Sequence, residues 1–390
     1  MTQVDERSTT DGSRVAIDTV TSGRPWTEPL RSVYRAPWVA ARRWREQGGR
    51  VVGLLGGCAP RELIMAAGML PMRLRPAALD AEPPAPLPDG LARELTPSTA
   101  AVLAALWGGG LRWIDALLIG RDCEAHTKLF YVLRELAAER PDRLPPVAFS
   151  DMLRLPSRTS ARYNRRRLAD LRGVVGGWAE RSISDAELVA AVADSARTAA
   201  ALAALDELRI ARRVSGADAL LAAVAAQMLP GPAVREALAA AAGPPRTDVV
   251  PVFLTGSDLD DTHAYEAIEQ AGAAIVGEDH GWGDDGREVA AATSDPLDGI
   301  VDRYQFSARR SARAGLERVV RTAERVRRSG ARGVLQVIRP DDEASAWELP
   351  ALRAALPDLP VHSVRLAQED RPALREATAE ILSTIGAIRV

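Results

Sequence analysis

Residues 51–74 read VVGLLGGCAPRELIMAAGMLPMRL. The apolar run VVGLLGG (51–57) ends in glycines, which is typical of a buried strand followed by a turn. PRELIMAAGMLP (60–71) begins with proline, which suits a first helical turn, and it carries apolar residues at helical spacing. MRLRP (72–76) predicts a further strand. Strand, helix and strand in this order favour a parallel α/β unit.

The same alternation continues along the chain. WIDALLIG (113–120) predicts a second apolar strand, residues 121–139 predict a loop and then an amphipathic helix, and PPVAFSDM (145–152) predicts a third strand. We therefore expect an N-terminal α/β domain over residues 36–155. Residues 1–35 are assigned to a flexible N-terminal tail.

Residues 156–245 differ in kind, because they are rich in alanine and arginine and contain no convincing strand. Ser184 with Glu187 three residues on predicts a capped helix start, and Ser215 predicts another. Strand and helix patterns resume over residues 246–390, with helices predicted over residues 259–272, 311–330 and 348–358 and at the end of the chain. The predicted fold is α/β, with two parallel-sheet, Rossmann- or flavodoxin-like domains and a helical segment between them.

The composition argues against proteins that bind nucleic acid or membranes and against secreted proteins. Hydrophobic residues make up 47% and charged residues 26% of the 390 residues, close to soluble globular averages. A net charge of −2 gives no basic field for nucleic acid or an anionic membrane, and 4% aromatics leave few platforms for base stacking. The polar, acid-containing residues 1–25 lack the apolar core of a secretory signal, so we expect a cytoplasmic protein.

In open parallel sheets, ligands bind beyond the carboxyl ends of the strands. The segments that follow predicted strands are therefore the candidates for a site. They are Gly56–Glu62, Arg121–His126, Thr255–Asp261, Glu278–Arg287 and Arg339–Glu348.

The two cysteines of the chain both lie in such segments. Cys123 and His126 are three residues apart, so they share one helix face. The pair suits a metal site or a catalytic thiol–imidazole pair. The alternative is an ordinary buried cysteine beside a surface histidine. Cys58 lies among small residues in GGCAPREL, which suits a core residue at a tight turn. Two cysteines cannot supply the four thiolates of an ordinary iron–sulfur cluster.

Two further motifs carry weaker indications. LTGSDLDD (254–261) could cradle a phosphate at the start of the next helix, although its aspartates would repel an anion. EDHGWGDDGRE (278–288) clusters acids with His280, which suits a hard cation or a solvated loop.

Several motifs together resemble the 2-hydroxyacyl-CoA dehydratase family, which includes benzoyl-CoA reductase-type subunits. The resemblance covers roughly residues 50–390, and the order and spacing of the motifs make it specific. The motifs are PRELIMAAGMLPMRL (60–74), DALLIGRDC with HTKL (115–129), LTGS (254–257), IVDRY (300–304) and GVLQVIRPDDEASAWELPALR (333–353).

The resemblance implies a subunit that pairs with a related subunit, usually as a heterodimer. In active subunits of the family, three cysteines hold a [4Fe–4S] cluster at a cleft that binds an acyl-CoA. An ATP-dependent activator supplies one electron at low potential. The implied reaction is a dehydration or a ring reduction, the work of a lyase or an oxidoreductase.

This chain departs from the family pattern at the cluster. Cys123 matches the middle cysteine, but Thr96 and Asp342 fall at the other two positions, and Cys58 is not an obvious substitute. Oxygen ligands replace thiolates poorly on iron–sulfur sites. We therefore expect an incomplete or absent cluster in this chain, with a [4Fe–4S] cluster in the partner subunit.

Three hypotheses follow. In the first hypothesis, the chain is the cluster-poor partner that completes the acyl-CoA cleft of a cluster-bearing paralogue. In the second, it binds a cluster through atypical ligands, with Cys123 and Cys58 as metal ligands. In the third, it is a non-redox binding or assembly protein of a specialised pathway. The first hypothesis predicts a heterodimer, with a homodimer as the alternative. The helical segment and the Trp26–Trp44 stretch are the expected interface.

Two residues outside the cluster positions are predicted to be catalytic. Glu62 follows the first strand in the family motif, and Arg73 lies near a predicted strand. A carboxylate at Glu62 could position water or a substrate group. The alternative for Glu62 is an acid that stabilises the start of its helix.

Overall fold

The computed structural model describes residues 24–76, 79, 95–140, 142–284, 290, 293–306, 315–340, 342–366 and 370–387. Within them lie two four-stranded sheets, each wholly parallel, with helices packed against the sheets. The predicted fold class, two parallel-sheet α/β domains, is confirmed.

The first domain has the strand order β2-β1-β3-β4. All of β1 and β3 are buried, because helices cover both faces of the sheet, and this explains their continuous apolar sequences. Its strands are β1 (Val51–Leu55), β2 (Leu70–Arg73), β3 (Ala116–Gly120) and β4 (Val147–Ser150), and its helices are α1 (Glu28–Arg35), α2 (Pro37–Glu46), α3 (Arg61–Ala66), α4 (Pro97–Trp107) and α5 (Glu124–Glu139).

Part of the predicted N-terminal tail is helical. Residues 1–23 lie outside the described residues, but Pro25–Thr27 form a 3-10 helix that leads into α1. Trp26 and Leu30 are buried in the core, so they have a packing role that a tail would not have. The boundary predicted at residue 35 is therefore too late.

The middle of the chain contains no strand between Ser150 and Val250, a stretch that is fully described. Ser184 and Glu187 form the expected capping box, and the Ser215 side chain caps the next helix. The helices are α6 (Arg158–Trp178), α7 (Asp185–Ile210), α8 (Gly216–Ala225) and α9 (Gly231–Ala239).

The second domain repeats the topology of the first, with strand order β6-β5-β7-β8. One of its helices, α11, was missed by the sequence analysis, although Asp295 caps it and Pro296 occupies its first turn. The elements are β5 (Val250–Gly256), α10 (Thr262–Gln270), β6 (Ala273–Glu278), α11 (Pro296–Gln305), α12 (Leu316–Ser329), β7 (Val334–Ile338), α13 (Glu343–Ala355), β8 (Val361–Arg365) and α14 (Arg371–Ala387).

The helical segment joins the two domains into one body. Helix α7 packs against α3 of the first domain and against β6 of the second, while α8 packs against α1 and α10. By length and composition α7 is also apolar enough to cross a membrane, a test that core helices of soluble proteins pass as well.

Candidate functional site

A cleft of about 510 Å³ lies where the carboxyl ends of the two sheets face each other. Each of the five segments predicted from strand ends contributes to its lining. Their contributions include Gly56, Asp122, Ser257, Gly281 and Arg339. The rule that parallel sheets bind ligands beyond their carboxyl ends therefore located this cleft from the sequence.

The cleft also brings together the three family cluster positions. Thr96, Cys123 and Asp342 all line it. Each is the N-cap of the helix that follows, α4, α5 and α13 respectively. Three helix starts, from two domains, thus converge on one space.

The oxygen side chains at two of these positions have capping partners. The Thr96 hydroxyl accepts a hydrogen bond from the Thr99 backbone N–H at 3.4 Å. Asp342 Oδ1 accepts from the Ser345 backbone N–H at 3.0 Å, and its Oδ2 accepts from the Ser257 hydroxyl at 2.7 Å and from the Ser345 hydroxyl. Asp342 is therefore held by three hydrogen-bond donors of its own domain, two of them from Ser345 in its own helix.

Cys123 and His126 form a thiol–imidazole pair at the start of α5. The Cys123 thiol is exposed and lines the cleft together with the His126 imidazole. Burial raises the pKa of the Cys123 thiol, but the hydrogen bond and the charge of His126 outweigh it, so that pKa is lowered. Burial likewise lowers the pKa of His126, but the contact with Cys123 outweighs it and the pKa is raised. Both shifts favour a thiolate beside an imidazolium.

Asp122 precedes Cys123 in the chain and lines the same cleft as the thiol–imidazole pair. Its carboxylate accepts hydrogen bonds from the backbone N–H groups of Gly57 and Cys58, the latter at 3.0 Å. Burial raises the pKa of Asp122, but the charge of His126, a hydrogen bond with the Cys58 side chain and the charges of Arg73 and Arg154 hold it below its usual value. Gly56 has φ +87°, and a Cβ there would lie 2.6 Å from Asp122 Oδ2. The turn after β1 therefore fits closely around the carboxylate.

Arg73, one of the two residues predicted to be catalytic, lies at the end of β2 and lines the cleft. Its guanidinium stacks on the Trp282 ring, 3.8 Å from the centroid, and donates to the carbonyl oxygen of Gly281 at 2.5 Å and to Gln227 Oε1 at 2.8 Å. These partners belong to the second domain and the helical segment. Arg73 is thus a fixed cation on the cleft wall and a link between domains.

Glu62, the other predicted catalytic residue, lies outside the cleft lining. It is fully buried in α3, forms an ion pair with Arg303 and accepts a hydrogen bond from the Tyr304 hydroxyl at 2.9 Å. Arg303 and Tyr304 belong to α11, which the sequence analysis missed. The carboxylate therefore joins α3 to a helix more than 200 residues away along the chain.

Cys58 is buried beneath the loop that carries Asp122. Its sulfur accepts a hydrogen bond from Arg154 Nη2 at 3.0 Å, and it does not appear in the cleft lining. The interpretation as a small residue at a tight turn agrees with this position. The structure brings Cys123 and His126 together in the cleft but does not add Cys58 to them.

Two of the three aspartates of LTGSDLDD contact arginines. Asp258 lies 3.7 Å from Arg73 Nη2, and Asp260 lies 3.4 Å from Arg75 Nε. Asp261 caps α10 by accepting from the His263 backbone N–H. Acid side chains thus occupy the surroundings of the turn where a phosphate would have to lie.

The described part of the acidic loop after β6, residues 278–284, is largely buried, whereas a solvated loop would be exposed. Glu278, Asp279 and His280 are buried, and the His280 Nε2 and Tyr265 hydroxyl oxygen are 2.6 Å apart. Arg209 of α7 pairs with Glu278 and, at 2.9 Å, with Asp284. The arginine explains the acid cluster, because it supplies the positive charge that a cation would otherwise provide.

Among the described residues, no group of three or more His, Cys, Asp or Glu side chains is placed to hold a metal ion. Residues that contact the cleft wall or the acidic loop, and that sequence reasoning missed, include Trp282, Gln227 and Arg209. Trp282 lies in the motif 278–288, which follows a predicted strand, so the sequence did indicate its place near the site. Gln227 and Arg209 lie in the helical segment, where local sequence gives no sign of a partner in another domain.

Comparison with known families agrees with this geometry. No curated protein matches the chain in a direct sequence comparison. The family model described as 2-hydroxyglutaryl-CoA dehydratase, D-component, matches residues 57–379, more than three quarters of the chain. The matched region begins at the loop after β1 and includes Thr96, Cys123 and Asp342. The chain therefore belongs to the 2-hydroxyglutaryl-CoA dehydratase D-component family.

Proposed function

We propose that this chain is the cluster-poor partner in a dehydratase-type complex, where it completes the acyl-CoA cleft of a cluster-bearing paralogue. Family membership supports a dehydratase-type component. The observation that carries the finer proposal is the convergence of Thr96, Cys123 and Asp342 on one cleft with one thiol among them.

The residues at these positions do not fit a [4Fe–4S] cluster. Iron–sulfur clusters are held by thiolates, whereas two of the three side chains present hard oxygen atoms. Both oxygen side chains are also engaged as helix caps, Thr96 with Thr99 and Asp342 with Ser257 and Ser345.

Only part of the Trp26–Trp44 stretch expected at the interface is accessible to a partner. Trp26 is buried in the core of the chain itself, so it is not available to a partner. Trp38, Arg42 and Arg45 of α2 instead line an open groove of about 750 Å³. Tryptophan and arginine are enriched in interface cores, so this groove is the part of the Trp26–Trp44 stretch that suits an interface.

The proposed complex also needs an ATP-dependent activator, as components of this family typically do. Electron transfer would then run from the activator to the paralogue, and this chain would contribute shape and polar groups to the cleft. Arg73 is the fixed cation available for that purpose, since Trp282 and Gly281 hold its guanidinium in place.

Anaerobic purification tests the proposal. The chain is purified alone, the cysteine-complete paralogue alone, and the two after co-expression, and iron, sulfide and the visible spectrum are measured for each. We expect co-purification and about four irons per heterodimer, with little iron in the isolated chain. Sedimentation at micromolar concentration reports the assembly.

Two results would contradict it. About four irons per isolated chain after reconstitution would show that the chain binds its own cluster through atypical ligands. A stable monomer that the paralogue does not alter would remove the partner role and favour a separate binding or assembly function.

A further inference from the structure

Helix α6 carries six arginines, and the chain supplies acidic partners for three of them. The pairs are Arg165 with Asp298 at 2.9 Å, Arg167 with Asp170 at 3.2 Å and Arg172 with Asp185 at 2.6 Å. The guanidinium groups of Arg158, Arg162 and Arg166 form no ion pair or hydrogen bond with any described residue. The described chain therefore leaves half of the cations of this helix to water or to a partner.

The three arginines without acidic partners lie on one face of α6. Arg158, Arg162 and Arg166 follow each other at intervals of four residues, and all three are exposed. Like charges at this spacing repel each other. Arg158 is also the first residue of the helix, where the positive end of the helix dipole disfavours a cation. This arrangement opposes helix formation in the isolated chain, and an acidic partner would remove both penalties.

The same face continues beyond Arg166 as a shallow groove. Ala169, Gly173 and Gly177 follow at helical spacing, are exposed and line an open groove of about 540 Å³. A Cβ at Gly173 or Gly177 would meet no atom within 4 Å, so the described chain does not need glycine there for its own packing. Glycine inside a helix lowers its stability. Small residues, however, allow a second helix to approach closely, because the distance between two helix axes depends on the side chains at their contact.

Charge and length decide the kind of partner. The three arginines span about 12 Å of the helix axis, and the face from Arg158 to Gly177 spans about 30 Å, the length of a helix of about 20 residues. Leu155, which precedes α6, is 69% exposed and adds an apolar contact at the cationic end. A net charge of −2 gives the chain no general attraction for nucleic acid. A protein helix with acidic residues at intervals of four, followed by a flat apolar stretch, complements this face.

We propose that this face of α6 docks an acidic helix of the paralogous subunit. The carboxylates of that helix pair with Arg158, Arg162 and Arg166, and its backbone lies close to α6 at Gly173 and Gly177. The identity of the partner rests on the proposed function, whereas the docking face rests on the exposure, spacing and charge of α6 itself. Charged pairs of this kind fix the register of two helices and speed their encounter.

The test measures the dissociation constant of the full-length chain and the cysteine-complete paralogue by sedimentation at low and high salt. Arg162→Glu should weaken the complex at least about 10-fold at low salt, and less at high salt. Arg321→Glu, which makes the same charge change at an exposed position of α12, is the matched control and should change the constant less than about 2-fold. Gly173→Leu should also weaken the complex at least about 10-fold by filling the groove. Thermal unfolding of each isolated variant should show a stability no lower than that of the wild type.

The outcomes separate the docking face from the partner role. A complex that forms with unchanged affinity in Arg162→Glu and Gly173→Leu would overturn the docking face and leave the partner role standing. No complex with the wild-type chain would overturn both. Lower stability of the isolated Arg162→Glu chain would show that this arginine serves the chain's own fold, which also overturns the docking face. Binding of a labelled DNA duplex that Arg162→Glu abolishes would assign the face to nucleic acid instead.

Discussion

Cys123 and Asp342 occupy equivalent positions in the two domains. Each caps the helix that follows the third strand in the sheet order, β3 in the first domain and β7 in the second, and both face one cleft. The repeated order β2-β1-β3-β4 and β6-β5-β7-β8 makes the cleft pseudo-symmetric. A thiol on one side is thus matched by a carboxylate on the other.

Replacing Thr96 and Asp342 by cysteine should cost stability. Both side chains cap helices, and loss of an N-cap costs about 1 kcal/mol each. We expect Thr96→Cys with Asp342→Cys to lower the free energy of unfolding by about 2 kcal/mol in urea denaturation. Anaerobic reconstitution should show more iron bound to this double variant than to the wild type. No loss of stability would show that the caps contribute little.

Substitution of Glu62 should affect folding more than function. Glu62→Gln removes the negative charge beside Arg303 in a buried site, and breaking a buried ion pair costs about 3 kcal/mol. The control is Glu180→Gln, whose partner Arg50 lies at the surface, and it should change the free energy of unfolding far less. A stable Glu62→Gln protein that assembles but loses activity would instead support the catalytic role.

Arg209 should be among the residues most sensitive to substitution. It is fully buried and pairs with Glu278 and Asp284, so Arg209→Met leaves these acids without its charge. We expect a loss of about 3–5 kcal/mol in the free energy of unfolding. Arg328→Met is the matched control, because Arg328 makes an exposed pair with Glu207, and it should change stability by less than about 1 kcal/mol.

Glu278 predicts a pH dependence of stability. Burial raises the pKa of Glu278 to about 8, although the charge of Arg209 opposes the shift. Because the folded-state pKa lies above the unfolded one, protonation of Glu278 stabilises the folded chain. This contribution is fully present below about pH 4.5 and is lost as the pH rises through about 8. Glu278→Gln imitates the protonated acid, so its stability relative to the wild type should rise with pH. A constant difference from about pH 5 to pH 9 in denaturant titrations would contradict the shift.

Gly256, at the end of β5, should not tolerate a side chain. Its φ is +114°, and a Cβ would lie 2.0 Å from the carbonyl oxygen of Val337 on the neighbouring strand. Gly256→Ala should therefore destabilise the chain by more than about 2 kcal/mol in thermal or chemical unfolding. Gly173→Ala, in α6 with no atom near its Cβ position, should instead stabilise it by about 0.5–1 kcal/mol. Equal effects would mean that the strand end can relax.

Much of the fold followed from local patterns. Strands such as β1 and β3 are buried on both faces, so their sequences are short apolar runs that end in glycine, and they were recognised. The start of α7 followed from the capping box of Ser184 and Glu187. Helix α11 was missed because an acidic and glycine-containing stretch preceded it, although Asp295–Pro296 carried a helix-start pattern.

The site was predictable in position but not in its contacts. The carboxyl ends of parallel strands indicated the cleft, and the resemblance placed Thr96, Cys123 and Asp342 within it. The partners of Glu62 and of Glu278 could not be read in the same way. Their arginines, Arg303 and Arg209, are 241 and 69 residues away, and only the packing of helices brings them close.

Two arginines that reach from the first domain to the second bear on how fast a ligand enters and leaves the cleft. Arg73, on the cleft wall, reaches Gly281 and Trp282, and Arg75 reaches Asp260, so the two domains are tied together beside the cleft. A hinge motion that separated them would have to break buried charged contacts. At a cost of about 4 kcal/mol, the separated form would make up about one molecule in a thousand. Ligand exchange should therefore proceed through the mouth of a preformed cleft, at a rate set by diffusion and side-chain motion and without a slow domain-opening step.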